Sequence, residues 1–289
     1  MTIDKLAFGQ FEIHGLRDGF FRLDGGAMFG VVPKPLWEKK FPSDDQNRIR
    51  LALNSFLIKK SDFLILIETG IGSDLDQKIF KYYSVEREPG LVGSLQRLGF
   101  QAGDIDIVIN THLHFDHCGG NTYTNEKGEI VPTFPKAKYI IQKEEWEYAL
   151  APTERDRPSY LKQNFLPLKK HGQLHLVDGN TEITQGVETV RIPGHTSSHQ
   201  CVKVQSSGKT FFFLGDLVPT TGHIGLSYVM SYDLFPQETL ENKKKVFDQA
   251  IKEDWILGFN HDPDHFFGQV EKVEDKYRFK PFQFQGVVS

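Results

Sequence analysis

"THLHFDHCGG", residues 111–120, follows directly on the apolar run "IDIVIN" at 105–110 and holds three of the chain's eleven histidines. His112 and His114 lie two apart, so on an extended or tightly curved segment both project to the same side, with Asp116 and His117 in the next turn of chain. One short loop thus presents four side chains of the types that zinc, iron and manganese take as ligands in hydrolytic sites. A solitary loop histidine is ordinary polar surface. Four ligand-type groups at the end of a buried strand are not. Cys118 adjoins them and reads as a small packing residue.

A metal needs more ligands than one loop can supply, so others are expected at comparable strand ends. "RIPGH" ends in His195, "FFFLGD" in Asp216 and "WILGFNH" in His261. Each is an apolar run followed at once by a ligand residue, the arrangement expected when several strand ends converge on one site.

The rest of the chain has the rhythm of short β-rich runs and turn signals. Residues 54–70 read as two strands joined at Lys60-Ser61-Asp62, the second buried on both faces. "LVGSLQRLGF" is a short amphipathic helix stopped by Gly99, and further strands are expected at 138–142, 187–192, 200–205, 210–215 and 255–260. Residues 237–252 place Leu240, Phe247, Ala250 and Ile251 on one face of a surface helix. The expected fold class is α/β (α+β): mixed sheets covered by helices.

Composition bounds the function classes. The chain has 289 residues, 39% apolar and 25% charged, enough for a large core, and is expected to form one domain over 1–289. A net charge of -4 gives no electrostatic case for nucleic acid or an anionic membrane. The lysine runs at 39–40, 169–170 and 243–245 read as solvated surface. No window approaches a membrane span, and no basic segment precedes an apolar one at the N-terminus, so the expected location is cytoplasmic. Two cysteines, Cys118 and Cys201, cannot make a disulfide framework.

With these residues on the page, the sequence resembles the metallo-β-lactamase superfamily: H-x-H-x-D-H at His112, His114, Asp116 and His117, P-G-H-T at 193–196, G-D at 215–216, and the late His261. The resemblance implies a four-layer αββα sandwich with a two-metal site at one edge. His112, His114 and His195 would hold one metal, Asp116, His117 and His261 the second, and Asp216 would bridge them. Zinc leads, with iron, manganese or cobalt also suited to this ligand set. Within the family, the chain resembles the lactonases and methyl parathion hydrolase-like enzymes, whose N-terminal hairpin and loop the stretch at 16–34 is similar to. Where some acyl-homoserine lactonases have a tyrosine, three residues after the bridging aspartate, this chain has Pro219; Tyr228 and Tyr232 are the candidates to replace it.

The expected activity is hydrolysis of a lactone or carboxylic ester, a small-molecule substrate, by a metal-bridging hydroxide. Asp116 is the candidate to carry a proton to the leaving group. The alternatives are a phosphodiester or phosphotriester hydrolase on the same site, or a metal-binding module without turnover. Around the ligands, His199 is a candidate pocket or hydrogen-bonding residue. Asp106 and Thr196 are candidates to orient imidazoles. Phe20, Phe21, Met28 and Phe29 are candidates for an apolar substrate wall. His223 and His265 receive no role. Family habit and aromatic content point to a homodimer.

Overall fold

Two seven-stranded sheets form the frame of the computed structural model, which describes residues 5–282. The first is built from β1 (Lys5–Phe8), β2 (Phe11–Asp24), β3 (Arg48–Lys60), β4 (Phe63–Ile67) and β5 (Ile107–Ile109). A separate hairpin, β6 (Thr122–Thr124) and β7 (Ile130–Pro132), precedes β8 (Lys138–Gln142) and β9 (Leu174–Val177), which complete that sheet. The second runs in chain order: β10 (Thr181–Thr184), β11 (Val187–Arg191), β12 (Gln200–Ser206), β13 (Lys209–Phe213), β14 (Ile256–Gly258), β15 (Phe267–Val273) and β16 (Lys276–Pro281).

The alternation along the strands decides the layers. In β4, Ile65 and Ile67 enter the core between the sheets, while Leu64 and Leu66 face the helices Gly90–Arg97 and Lys143–Leu150. In β13, Phe211 and Phe213 meet them from the second sheet, and Phe212 turns outward toward Val246, Phe247 and Ala250 of the helix Pro236–Lys252. Helix, sheet, sheet and helix therefore stack in four layers, the αββα sandwich.

The direction of the strands places the site. β4, β5 and β8 are mutually parallel, so their carboxyl ends open on one edge. β13 and β14 are parallel as well, and β11 shares their direction through its antiparallel neighbour β12. At that edge the sheets are stitched together. Ala52 and Asn54 of β3 donate backbone bonds to His261 and Asn260, and the Asn260 side chain returns one to the Asn54 carbonyl at 2.7 Å. Gln200 of β12 donates from its backbone to Thr111 and from its side chain to Asn110.

Several expectations need correction. Residues 16–24 belong to one fourteen-residue strand, β2, and the turn of the N-terminal hairpin lies earlier, between Phe8 and Phe11. In the helix Pro236–Lys252, Ile251 is exposed and Lys243 is fully buried. Lys243 Nζ donates to the carbonyls of Gly225 and Tyr228, which satisfies a charge that the run of three lysines had marked for solvent. Its neighbours Lys244 and Lys245 are exposed.

Candidate metal centre

His112 to His117 occupy the loop after β5 and the short helix Phe115–Cys118 that it enters. His195 follows β11, Asp216 follows β13 and His261 follows β14. All seven are buried. Their ligand atoms fall into groups that could each hold a metal ion: His112 with His114 and His195, Asp116 with His117 and His261, and His112 with His117 and Asp216. Asp216 stands between the first two. Its Oδ2 lies 3.3 Å from His195 Nε2, and its Oδ1 lies 3.2 Å from His261 Nε2 and 3.4 Å from His117 Nε2.

Hydrogen bonds fix which nitrogen faces inward. The Ala52 carbonyl can only accept, so at 2.8 Å it holds the proton of His261 on Nδ1 and leaves Nε2 for a ligand role. Asp233 does the same for His195, also at 2.8 Å. Across the site, His195 Nε2 lies 3.2 Å from His114 Nδ1, and His261 Nε2 lies 3.2 Å from His117 Nε2. His112 Nε2 and Asp216 Oδ1 find no hydrogen-bond partner among the described residues. Ring nitrogens and a carboxylate buried and turned toward one another form a donor set that fits divalent metal ions.

The electrostatics agree. Burial opposes charge on His117, but the carboxylates of Asp216 and Asp116 outweigh it and hold the imidazole well above its ordinary range. Burial would raise Asp216, yet His117, His261 and His195 pull it well below the usual carboxylate range. Burial and the neighbouring imidazoles of His117 and His114 press His112 well below its own. The cluster favours an anionic Asp216 and a cationic charge beside it.

His199 does not reach the cavity. Burial holds its imidazole down to about 3, and its Nε2 accepts from the Asp216 backbone N–H at 3.1 Å. Gly215 is left-handed at φ 52°, and a Cβ there would come within 2.6 Å of that same Nε2. The G-D pair is thus a backbone requirement followed by a ligand. Three acidic groups escaped sequence reasoning: Glu68, Asp233 and Glu145, which accepts from Leu113 N and Thr196 Oγ1. Glu68, just past β4, is buried at φ 61°, accepts from Thr111 N and lies 3.5 Å from His117 Nδ1. It carries the signal used for the ligands, an acidic residue after an apolar run. Asp233 sits in a loop with no such signal.

Beside the metal groups a cavity of about 260 Å³ is lined by Leu23, Met28, Tyr83, Phe115, Met230 and Tyr232, with Asp116, His195 and Asp216 also exposed to it. Met28 and Tyr232 are therefore placed as wall residues. Phe21 packs against His261, and Phe29 stacks on His223 behind the wall. His223 bonds Thr220 and the Met28 carbonyl, a structural link. His265 packs on Phe279. Phe20 lies elsewhere, under the Arg50 guanidinium at 3.4 Å, because the β2 pleat turns it outward. Tyr228 packs on Phe29 and does not line the cavity. Asp106 sits at the opposite end of β5, where it accepts from Leu64 N and pairs with Lys136, so it orients no ligand. Thr196 donates to Glu145. Cys118 is buried and donates to the Leu113 carbonyl.

Fold and site together define a sandwich protein with a histidine-rich edge whose residues fit divalent metal ions. Residues 49–268 match the Metallo-beta-lactamase superfamily, and the chain belongs to it. Within that family it stands with the lactonase-like enzymes and is a metal-dependent hydrolase. An N-acyl homoserine lactonase of Bacillus thuringiensis is 27% identical over 235 residues, covering 74% of this chain and 82% of its own. A Staphylococcus aureus structure described as a "probable metal-dependent hydrolase" is 30% identical with a TM-score of 0.87, over 96% of this chain and 100% of that one. AidC, a dizinc quorum-quenching lactonase solved with N-hexanoyl-L-homoserine as product, shares the fold at TM-score 0.81 and 21% identity, over 98% of each chain.

Proposed function

We propose that the chain hydrolyses a lactone or carboxylic ester with two divalent metal ions, zinc foremost: one held by His112, His114 and His195, the other by Asp116, His117 and His261, with Asp216 between them. The observation that carries this reading is the Asp216 carboxylate, which turns one oxygen to each histidine group. Such ions, when bound, supply a water activated near neutral pH and a Lewis acid for the substrate oxygen. The chain's own residues do the rest. Asp216, flanked on both sides, stays fixed. Asp116 faces the cavity and is free to pass a proton to the leaving group. Tyr232 lines the cavity, and its phenol, protonated at neutral pH, can donate to a substrate oxygen. Apolar walls from Leu23, Met28, Phe115 and Met230 suit an acyl chain, and the lactonase relatives support a lactone.

The inner core joins residues of both sheets, which supports one domain over 1–289. A small-molecule partner, a cytoplasmic setting and a homodimer complete the reading; sedimentation tests the last. No helix of the described residues is long and apolar enough to cross a membrane.

Elemental analysis of protein purified without chelator, with rates on γ-lactone, aryl ester and phosphotriester panels, tests the proposal. About two metals per chain and lactone or ester turnover are expected, with D216N losing metal and turnover together. Turnover on phosphotriesters alone would replace the substrate class, and a D216N protein with intact metal content would overturn the bridge.

A further inference from the structure

The site draws its ligands from two sheets, and the distance between the two contributing loops has to be held by something other than the metal. The loop bearing His112 and His114 comes from the first sheet and the loop bearing His195 from the second. Glu145 lies between them, on the helix Lys143–Leu150, and is 1% exposed. Its Oε1 accepts from the backbone N–H of Leu113 at 3.0 Å, between the two histidines, and from the Tyr160 hydroxyl at 3.1 Å. Its Oε2 accepts from Thr196 Oγ1 at 2.7 Å, next to His195, and from Ser198 Oγ at 3.1 Å. Tyr160 in turn sets its ring edge-on to His114, with centroids 4.8 Å apart.

Four donors converge on one carboxylate, and a carboxylate is the side chain that meets them all, being acceptor-only with room for about four bonds. Bonds to a charged acceptor are shorter and stronger than neutral ones. One oxygen serves each loop. The second metal group, Asp116 with His117 and His261, has no bond to Glu145; His261 is held instead by Ala52 and His117 faces Glu68.

We infer that Glu145 is a positioning residue that sets the spacing between the His112/His114 loop and the His195 loop, and so the affinity of one of the two metals. The inference rests on the ligand assignment proposed above. A glutamine is nearly the same size and separates charge from shape. Its amide oxygen can keep Leu113 and Tyr160, because a backbone N–H cannot reverse its role. Its NH2 must then face Thr196 and Ser198, whose hydroxyls can rotate to accept. E145Q therefore retains packing and loosens the His195 side. T196V removes one arm and leaves the carboxylate with three donors.

The test is competition between metal-free protein and a chromophoric zinc chelator, which returns the two zinc dissociation constants, with the Tm of the metal-free protein as a control for folding. For E145Q, one Kd is expected to rise about 10–100-fold while the other stays within about threefold, as losses of outer hydrogen bonds to ligands usually do. T196V is expected to move the same Kd in the same direction by less. Unchanged constants in both variants, or equal loosening of both metals, would overturn the inference. A wild-type protein binding fewer than two zinc ions would instead overturn the ligand assignment beneath it.

Discussion

The Nδ1 proton of His195 points at Asp233, 2.8 Å away and 2% exposed, and this contact decides which face of the imidazole a metal would meet. Replacing it by asparagine keeps the shape and an acceptor but removes the charge that strengthens the bond. D233N is expected to raise one zinc Kd about 10–100-fold, measured by chelator competition, and to leave the Tm of the metal-free protein nearly unchanged. Gly215 is a second residue-scale case. Alanine there meets both a left-handed backbone and His199, so G215A is expected to lose about 1–3 kcal/mol of stability in urea unfolding. A G215A protein with an unchanged midpoint would remove that constraint. At this scale the sequence was informative where ligand-type residues follow apolar runs, since the fold brings His112, His195, Asp216 and His261 to one edge. It was silent on Asp233, because a loop aspartate looks the same whether it faces solvent or an imidazole. Asp106 misled for the converse reason: it precedes β5, and residues at the two ends of a three-residue strand lie at opposite edges of a sheet.

Among the elements, the helix Pro236–Lys252 carries a titration that can be followed. Burial brings the Lys243 amine down to about 7, and its two carbonyl partners can accept from the neutral amine as well as from the ammonium. The folded pKa lies below the unfolded one of about 10.4, so the unfolded chain binds more protons through that window. Stability relative to K243M is therefore expected to rise from pH 7 toward 10, by at most about 1.4 kcal/mol per pH unit, and to be flat below the folded value. Urea unfolding of both proteins across pH 6–10 checks the sign; a difference that falls with rising pH would show that the lysine is not buried as described. Helical periodicity found this helix within a residue of its observed start but chose Ile251 for the buried face in place of Lys243. Hydropathy ranks side chains by their average environment, and a lysine with two carbonyls at its tip departs from that average. Strands such as β8 were legible throughout, since five consecutive residues between turn signals leave little freedom of assignment.

At the level of the whole molecule, the candidate metal groups take residues from both sheets, so metal bound there would be linked to the stability of the sandwich. A ligand bound only by the folded state stabilises it by about 4 kcal/mol when present at a thousandfold excess over its Kd. Chelation is accordingly expected to lower Tm on the order of 10 °C, and added zinc to restore it, as read by scanning calorimetry. A Tm insensitive to chelator in a protein shown to have lost its metal would mean that the edge is held without the ions.

The stitch between β3 and the segment after β14 has a kinetic counterpart. The amides of Ala52 and Asn54 donate across the boundary between sheets, to His261 and Asn260, and cannot meet solvent while the sheets stay joined. Their protons are thus expected to exchange with deuterium only through opening of the entire structure, at the slowest rates in the chain, although they lie beside the candidate metal edge. An active site is commonly sought among the segments that breathe most readily. Here the deuterium clock would run slowest beside it.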